Sequence, residues 1–351
     1  MNDLFEYKQE LDALRFTPEQ KTQLAAATVA AAQKQTRRVR RPIGRTVLAA
    51  ACITAVLAVS AGASGVLKNA AEVFAPIFGG TAAQTEVIDK IGYPIGASAT
   101  DNGVTISADA IMGDEYNAAI VFTFTRDDGT ALLPEGVEDP MLLVGGTGGA
   151  DLRVLGGSHG SSWFVDEDPT DDTLQMIQTV STDVPLNDCT ATAEFDGLYR
   201  WDAASGERIP VVEGRWKFKF DVAYEDSSVT LGGGETFAQD GMTFTIDEVR
   251  VSPVAVRVAY TADSEVQWSD APSGRQSDAD AREMQRYLEN VEVLLTRTDG
   301  TVIDLSGTGG SMKPDHGTTV CVKGGVLDEI IPMEEIAGIS VGGILYPISA
   351  E

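Results

Sequence analysis

Two histidines, three cysteines and two runs of loop residues are the places where this sequence could hold chemistry. His159 and His316 each precede a glycine, in His159-Gly160-Ser161-Ser162 and His316-Gly317-Thr318-Thr319. A catalytic histidine needs a nucleophile and an orienting carboxylate within hydrogen-bond reach, and no spacing here certifies such partners for either ring. Their matching glycine contexts read as a shared structural turn. The stretch Gly145-Gly146-Thr147-Gly148-Gly149-Ala150-Asp151 is glycine-rich, as phosphate-cradling loops are. It lacks the Gly-Lys-Ser/Thr ending and the following helix that such loops use, and reads as a tight connection.

The most acidic loop is Asp166-Glu167-Asp168-Pro169-Thr170-Asp171-Asp172. Its carboxylates could face Ca²⁺, but the glycine and closing glutamate of an EF-hand loop are missing, so a solvated acidic turn is the expectation. Paired Cys or His spacings of a zinc site do not occur. Cys52 lies in an apolar stretch, whereas Cys189 and Cys321 stand far downstream, as one disulfide or as two buried thiols. Neither an enzyme nor a cofactor emerges from these residues.

The elements around them are organised by charge. The net charge is −27 over 351 residues, which excludes nucleic acid as a partner of the bulk of the chain. Residues 1–45 hold nine Lys/Arg against five Asp/Glu, while beyond Lys68 there are 16 against 48. The sign changes across Thr46–Leu67, 22 residues without a charge. As a helix this stretch is about 33 Å long, close to the roughly 30 Å of a bilayer's hydrocarbon core. Arg37, Arg38, Arg40, Arg41 and Arg45 crowd its N-terminal side and Lys68 stands alone on the other. Basic residues are retained in the cytoplasm, so the sequence predicts a single-pass protein of the cell membrane, N-terminus inside and C-terminal portion outside. Two rivals are a buried Ala-rich helix and a leader cleaved after Ala61-Gly62-Ala63, although 45 residues would be a long n-region.

The inner segment 1–45 reads as two short helices. Leu4, Tyr7, Leu11 and Leu14 form a helical stripe. Thr17-Pro18-Glu19-Gln20 then supplies an N-cap, a first-turn proline and an acidic first turn for a second helix. A hairpin this small cannot bury enough apolar surface alone. Leu4, Leu11, Leu14 and Phe16 therefore stand as candidate partner-binding residues, for another copy, a cytoplasmic protein or the membrane surface.

Beyond a connector at 68–90 the pattern turns to strands. Val104–Ala108, Ala119–Phe124 and Trp216–Val222 are β-branched or aromatic runs, set off by turn signals such as Asn102-Gly103 and Asp128-Gly129. Four echoes recur in order. Asn102–Ile106 resembles Asp240–Phe244, Gly146–Gly149 resembles Gly307–Gly310, His159–Ser162 resembles His316–Thr319, and Val184–Leu186 resembles Ile331–Met333. The fold expected is mainly β: two tandem Ig-like β-sandwich domains, 91–226 and 227–351, preceded by the cytoplasmic helices and one transmembrane helix. The second copy's strands include Val254–Tyr260, Val291–Leu295 and Ile339–Leu345, with a helical insertion near 277–290 announced by Ser277-Asp278-Ala279-Asp280.

Three stretches carry a family resemblance. They are Leu11-Asp12-Ala13-Leu14-Arg15-Phe16-Thr17-Pro18-Glu19-Gln20-Lys21, the arginines with the uncharged span, and Ile91-Gly92-Tyr93-Pro94-Ile95-Gly96-Ala97-Ser98-Ala99-Thr100-Asp101-Asn102-Gly103. The chain resembles single-pass membrane proteins of Firmicutes that carry an uncharacterised extracytoplasmic domain and regulate extracytoplasmic-function sigma factors. The resemblance implies an anti-sigma-factor-like arrangement, with cytoplasmic helices on a sigma factor and an outer region sensing an unknown ligand. The inner segment has neither Cys nor His, so any such binding is metal-free. A surface-anchored ligand-binding or scaffold protein, without a cytoplasmic partner, is the alternative.

Overall fold

The computed structural model describes residues 69–133, 141–152, 157–166, 168, 170–186, 189–270 and 276–348. The expected span and the cytoplasmic helices lie outside them. Among the described residues the protein is mainly β, and no helix is long and apolar enough to cross a membrane.

Two helices open the described chain, α1 (Ala70–Phe78) and α2 (Ala82–Ile91). Asn69 caps α1 by accepting from the Ala71 N–H, and Thr81 with Gln84 forms a reciprocal capping box on α2, so each first turn has an orphan N–H satisfied by a side chain. A five-stranded antiparallel sheet comes next, in the order β1-β2-β3-β7-β6. Its strands are β1 (Gly92–Asp101), β2 (Val104–Gly113), β3 (Asn117–Arg126), β7 (Thr173–Thr182) and β6 (Ser158–Val165). Facing it, β8 (Thr190–Asp202) pairs with β4 (Leu142–Val144) and β5 (Gly149–Asp151) and also with β9 (Glu207–Asp221). Phe122, Phe124, Phe195 and Trp216 fill the space between the sheets. Phe195 meets Phe122 and Phe124 edge-on at 5.2 and 5.5 Å, and the Trp216 indole N–H donates to the Val104 carbonyl at 2.8 Å.

The second half repeats this plan. Its longer sheet runs β10 (Val229–Gly232), β12 (Met242–Val251), β13 (Ala255–Ala262), β17 (Thr318–Val326), β16 (Gly310–Asp315), with β11 (Thr236–Gln239) also on β12. The smaller one runs β15 (Val302–Asp304), β14 (Val293–Arg297), β18 (Ile336–Val341), β19 (Ile344–Pro347). A helix, α3 (Asp278–Met284), starts at a Ser277/Asp280 capping box and runs into a π-helical turn, Gln285–Glu289. The turn's end is closed from below by Lys323, whose buried ammonium donates to the carbonyls of Leu288 and Val291 at 2.5 and 2.7 Å. The carbonyls at a helix end form the negative pole of its dipole, which is why a cation suits them; the Leu288 carbonyl also accepts from the Val291 N–H at 3.1 Å.

The correspondence between halves is residue-specific. Asn102-Gly103 and Asp240-Gly241 make the same left-handed turn, with φ of 48° and 72° against 51° and 76°. β2 and β12 each carry a bulge at an aspartate, Asp109 and Asp247, accepting from Thr123 and Thr261 of the next strand. The extra residue switches which side chains face inward. Ile106 and Ala108 before it, and Ile111 after it, enter the first core; Ile246 before and Val249 after enter the second.

Two of the four sequence echoes mark equivalent places, the Asn102/Asp240 turns and the segments after β7 and β17. The other two do not. His159 sits within strand β6, whereas His316 (φ 48°) is in the β16–β17 hairpin turn, so the expected shared turn is corrected. Gly146–Gly149 joins β4 to β5, while Gly307–Gly310 leads from β15 into β16. The run Ile339–Leu345 is a hairpin, not one strand, because Gly342 and Gly343 take φ of 54° and 81°.

Candidate functional site

Polar side chains of both halves meet at the seam between the two sheet pairs. At its centre lie the β2–β3 and β12–β13 turns, which use the same device. Asp114 accepts from the N–H groups of Tyr116 and Asn117 at 3.0 and 2.9 Å. Ser252 accepts from those of Val254 and Ala255 at 3.3 and 3.0 Å. Aspartate and serine both serve at such turns because a short side-chain oxygen reaches back to the backbone. The two turns then bind each other, the Ser252 hydroxyl donating to Asp114 at 2.7 Å. Both are buried, and burial raises the Asp114 pKa while its hydrogen bonds, led by Ser252, oppose the rise.

Charge flanks this centre. Arg250 reaches Glu115 at 2.6 Å and Asp226 at 3.3 Å, and Arg257 reaches Glu248 at 2.9 Å. Tyr116 of the first half lies beneath both guanidinium groups, 5.2 and 4.0 Å from its ring centroid. The positions matching Arg250 and Arg257 in the first half are Met112 and Ala119, buried under the helices. One outer sheet face is thus apolar and covered by α1 and α2; its counterpart is charged and carries the seam.

Further along, Ser311 donates to Asp183 at 2.6 Å. His159 Nε2 lies 2.9 Å from the Gly324 carbonyl, so that nitrogen carries the proton, and Nδ1 is buried without a partner among the described residues. Gly309 lies so close that a Cβ there would stand 2.6 Å from the His159 ring. Beside His159 opens a cleft of about 420 Å³, lined by Gly148, Asp151, Ser158, Ser161 and Thr179 among others. The Ser161 and Thr179 hydroxyls bond each other at 3.1 Å. The lining offers hydroxyls, the Gln178 amide, the His159 ring and the Asp151 carboxylate, groups that hydrogen-bond a polar ligand.

Sequence reasoning flagged two features of this cleft, the glycine-rich loop and His159, and the fold brings them together. It missed Asp114, Arg250, Ser252 and Arg257. Their only sequence signal is that residues 114 and 252 come after the two Asn/Asp-Gly turns at the same distance. Leu4, Leu11, Leu14, Phe16 and Arg37, Arg38, Arg40, Arg41, Arg45 lie outside the described residues. Among the described residues no group of three or more His, Cys, Asp and Glu could hold a metal. Cys321 is a free thiol inside the second core, pushed up to about 12 by burial, while Cys189 packs against the first core. The Cys189–Cys321 disulfide is therefore not formed.

The model of a family described as a domain of unknown function (DUF4179) matches residues 38–126, which among the described residues take in α1, α2 and β1–β3. A solved structure, the crystal structure of the conserved domain protein from Bacillus anthracis, is similar at 15% identity and a TM-score of 0.44. The match covers 70% of this chain and 74% of that one. No curated protein matches.

Proposed function

We propose that this protein is a membrane-anchored, non-catalytic signalling regulator of the anti-sigma-factor-like kind. Its cytoplasmic helices bind a sigma factor, and two Ig-like sandwiches, copies of one unit, form the sensor outside. The observation that carries this reading is continuity along the chain. An arginine-flanked uncharged stretch ends at Leu67, and α1 begins at Ala70, already buried against the outer β region. No long linker separates span from sensor, as a device that passes a signal inward requires. The apolar residues Leu4, Leu11, Leu14 and Phe16, in a segment too short to bury them by itself, support a cytoplasmic partner.

The test captures partners with the tagged full-length chain, solubilised from native membranes, against a Leu11→Asp/Leu14→Asp variant. A sigma factor retained by the wild type and lost from the variant is the expected result. Equal retention by both removes the regulator reading. The hydroxyl-lined cleft favours a second reading, a surface-anchored binding module with the inner segment as anchor. In that case deleting residues 1–30 leaves ligand binding and cellular function untouched.

A further inference from the structure

We propose that the helix pair α1–α2 is the transmission element of this protein, a wedge held by both sheet pairs that converts a change at their seam into a pull on the chain entering the membrane. This rests on the regulator reading above, whose regulation it specifies.

The wedge is built into a core of its own. Ala70, Ala71, Val73, Phe74 and Phe78 of α1, with Ile88 and Ile91 of α2, are buried. Beneath them lie Ala110, Met112, Ala119, Val121 and Ile177 of the first half and Val254, Ala255 and Ile330 of the second. Helices serving only as a spacer would pack on one half. These share a core with both, and the second-half residues are telling ones. Val254 and Ala255 belong to the turn that Ser252 staples to Asp114. One rigid turn is thus both the seam's centre and part of the helix seat.

Ile330 is gripped more closely still. Its N–H donates to the Phe78 carbonyl at 2.9 Å, and its carbonyl accepts from Gln84 Nε2 at 2.9 Å, a buried bond. The Gln84 amide cannot turn over, because its Oε1 accepts from the Thr81 N–H and hydroxyl at 3.1 and 2.9 Å. The residue that caps α2 therefore also ties the helix pair to the second half. Gly79, at φ 110°, leaves the room Gln84 needs, since a Cβ there would come within 2.4 Å of the amide. A shift of one half against the other must break the Gln84 and Phe78 bonds or carry α1 with it. Lys68 and Asn69 alone separate α1 from the uncharged stretch ending at Leu67.

Coupling between two sites is reciprocal, which supplies the test. Hydrogen exchange is followed on the full-length chain in liposomes. Arg250→Ala opens the seam through ion pairs to Glu115 and Asp226 and a ring contact to Tyr116, all outside both helices. The expected result is at least about tenfold faster exchange in 70–91, with Gln84→Ala speeding 250–257 by a like factor. Exchange in 70–91 unchanged while 250–257 opens overturns the proposal. If Arg250→Ala unfolds the chain, the Gln84→Ala arm decides alone, and unchanged exchange at 250–257 overturns it. Partner capture separates the two levels of inference. A sigma factor bound equally by wild type and both variants leaves the regulator reading standing and overturns transmission. If no cytoplasmic partner is captured by the wild type, the regulator reading fails and the transmission role falls with it, whatever the exchange shows.

Discussion

Replacing Asp114 and Ser252 by alanine, singly and together, measures how strongly the two equivalent turns hold each other. The hydroxyl and the carboxylate are both buried, and their oxygens are 2.7 Å apart. A hydrogen bond to a charged group in such a place contributes about 1.5–3 kcal/mol. Asp114→Ala costs more than the bond, because the Tyr116 and Asn117 N–H groups and the Asn117 amide also lose their acceptor, and each buried donor left unsatisfied adds about 1–3 kcal/mol. Ser252→Ala is expected to cost about 2–3 kcal/mol, since two turn N–H groups are left without their acceptor as well. The double mutant should then fall short of the sum by about 1.5–3 kcal/mol, the coupling of residues in direct contact. Urea unfolding of the full-length chain in mild detergent, read by tryptophan fluorescence, gives all four stabilities. A coupling below about 0.5 kcal/mol would refute the reasoning, because that is the scatter expected of independent sites.

The same residue sets a pH signature. The folded-state pKa of Asp114 is raised, so between the unfolded value near 3.8 and the raised one the folded chain binds more protons. This group's contribution therefore rises as pH falls through that window and is lost as pH climbs out of it. Asp114→Asn should abolish that part of the profile while keeping an acceptor for the turn. Two more perturbations rest on single contacts. Lys323 is lowered from 10.5 to about 8, chiefly by burial, so the unfolded chain binds more protons between those values. The stability of wild type relative to Lys323→Met should accordingly increase as pH rises from 8 to 10.5, and a flat difference in unfolding midpoints would contradict this. Gly309→Ala should cost about 1–3 kcal/mol by driving a methyl against the His159 ring, and His159→Ala should suppress most of that loss in a thermal melt.

β-branched runs and Asn/Asp-Gly turns made the core of β2 and the repeated turn at Asp240-Gly241 legible, because those signals depend on neighbours in the chain alone. The capped start at Ser277 was legible for the same reason. The helices at 70–91 carry local signals as well, Asn69 and Thr81 with Gln84, yet the stretch reads as a connector, since its apolar positions gain meaning only from what they cover. The His159 echo misled for a related reason. A dipeptide can recur by chance, and only strand pairing shows that one histidine is in a strand and the other in a turn.

By itself the sequence determined the charge reversal, the uncharged stretch, the strand-rich character of the chain beyond residue 90 and the repeated turns, all consequences of composition and short-range spacing. Tertiary structure alone decided that Asp114 meets Ser252, that Arg250 and Arg257 enclose Tyr116, and that Gln84 reaches Ile330 across 246 residues. Such contacts arise when two folded halves press together. No local preference encodes a pairing whose partners become neighbours only after each sheet has formed.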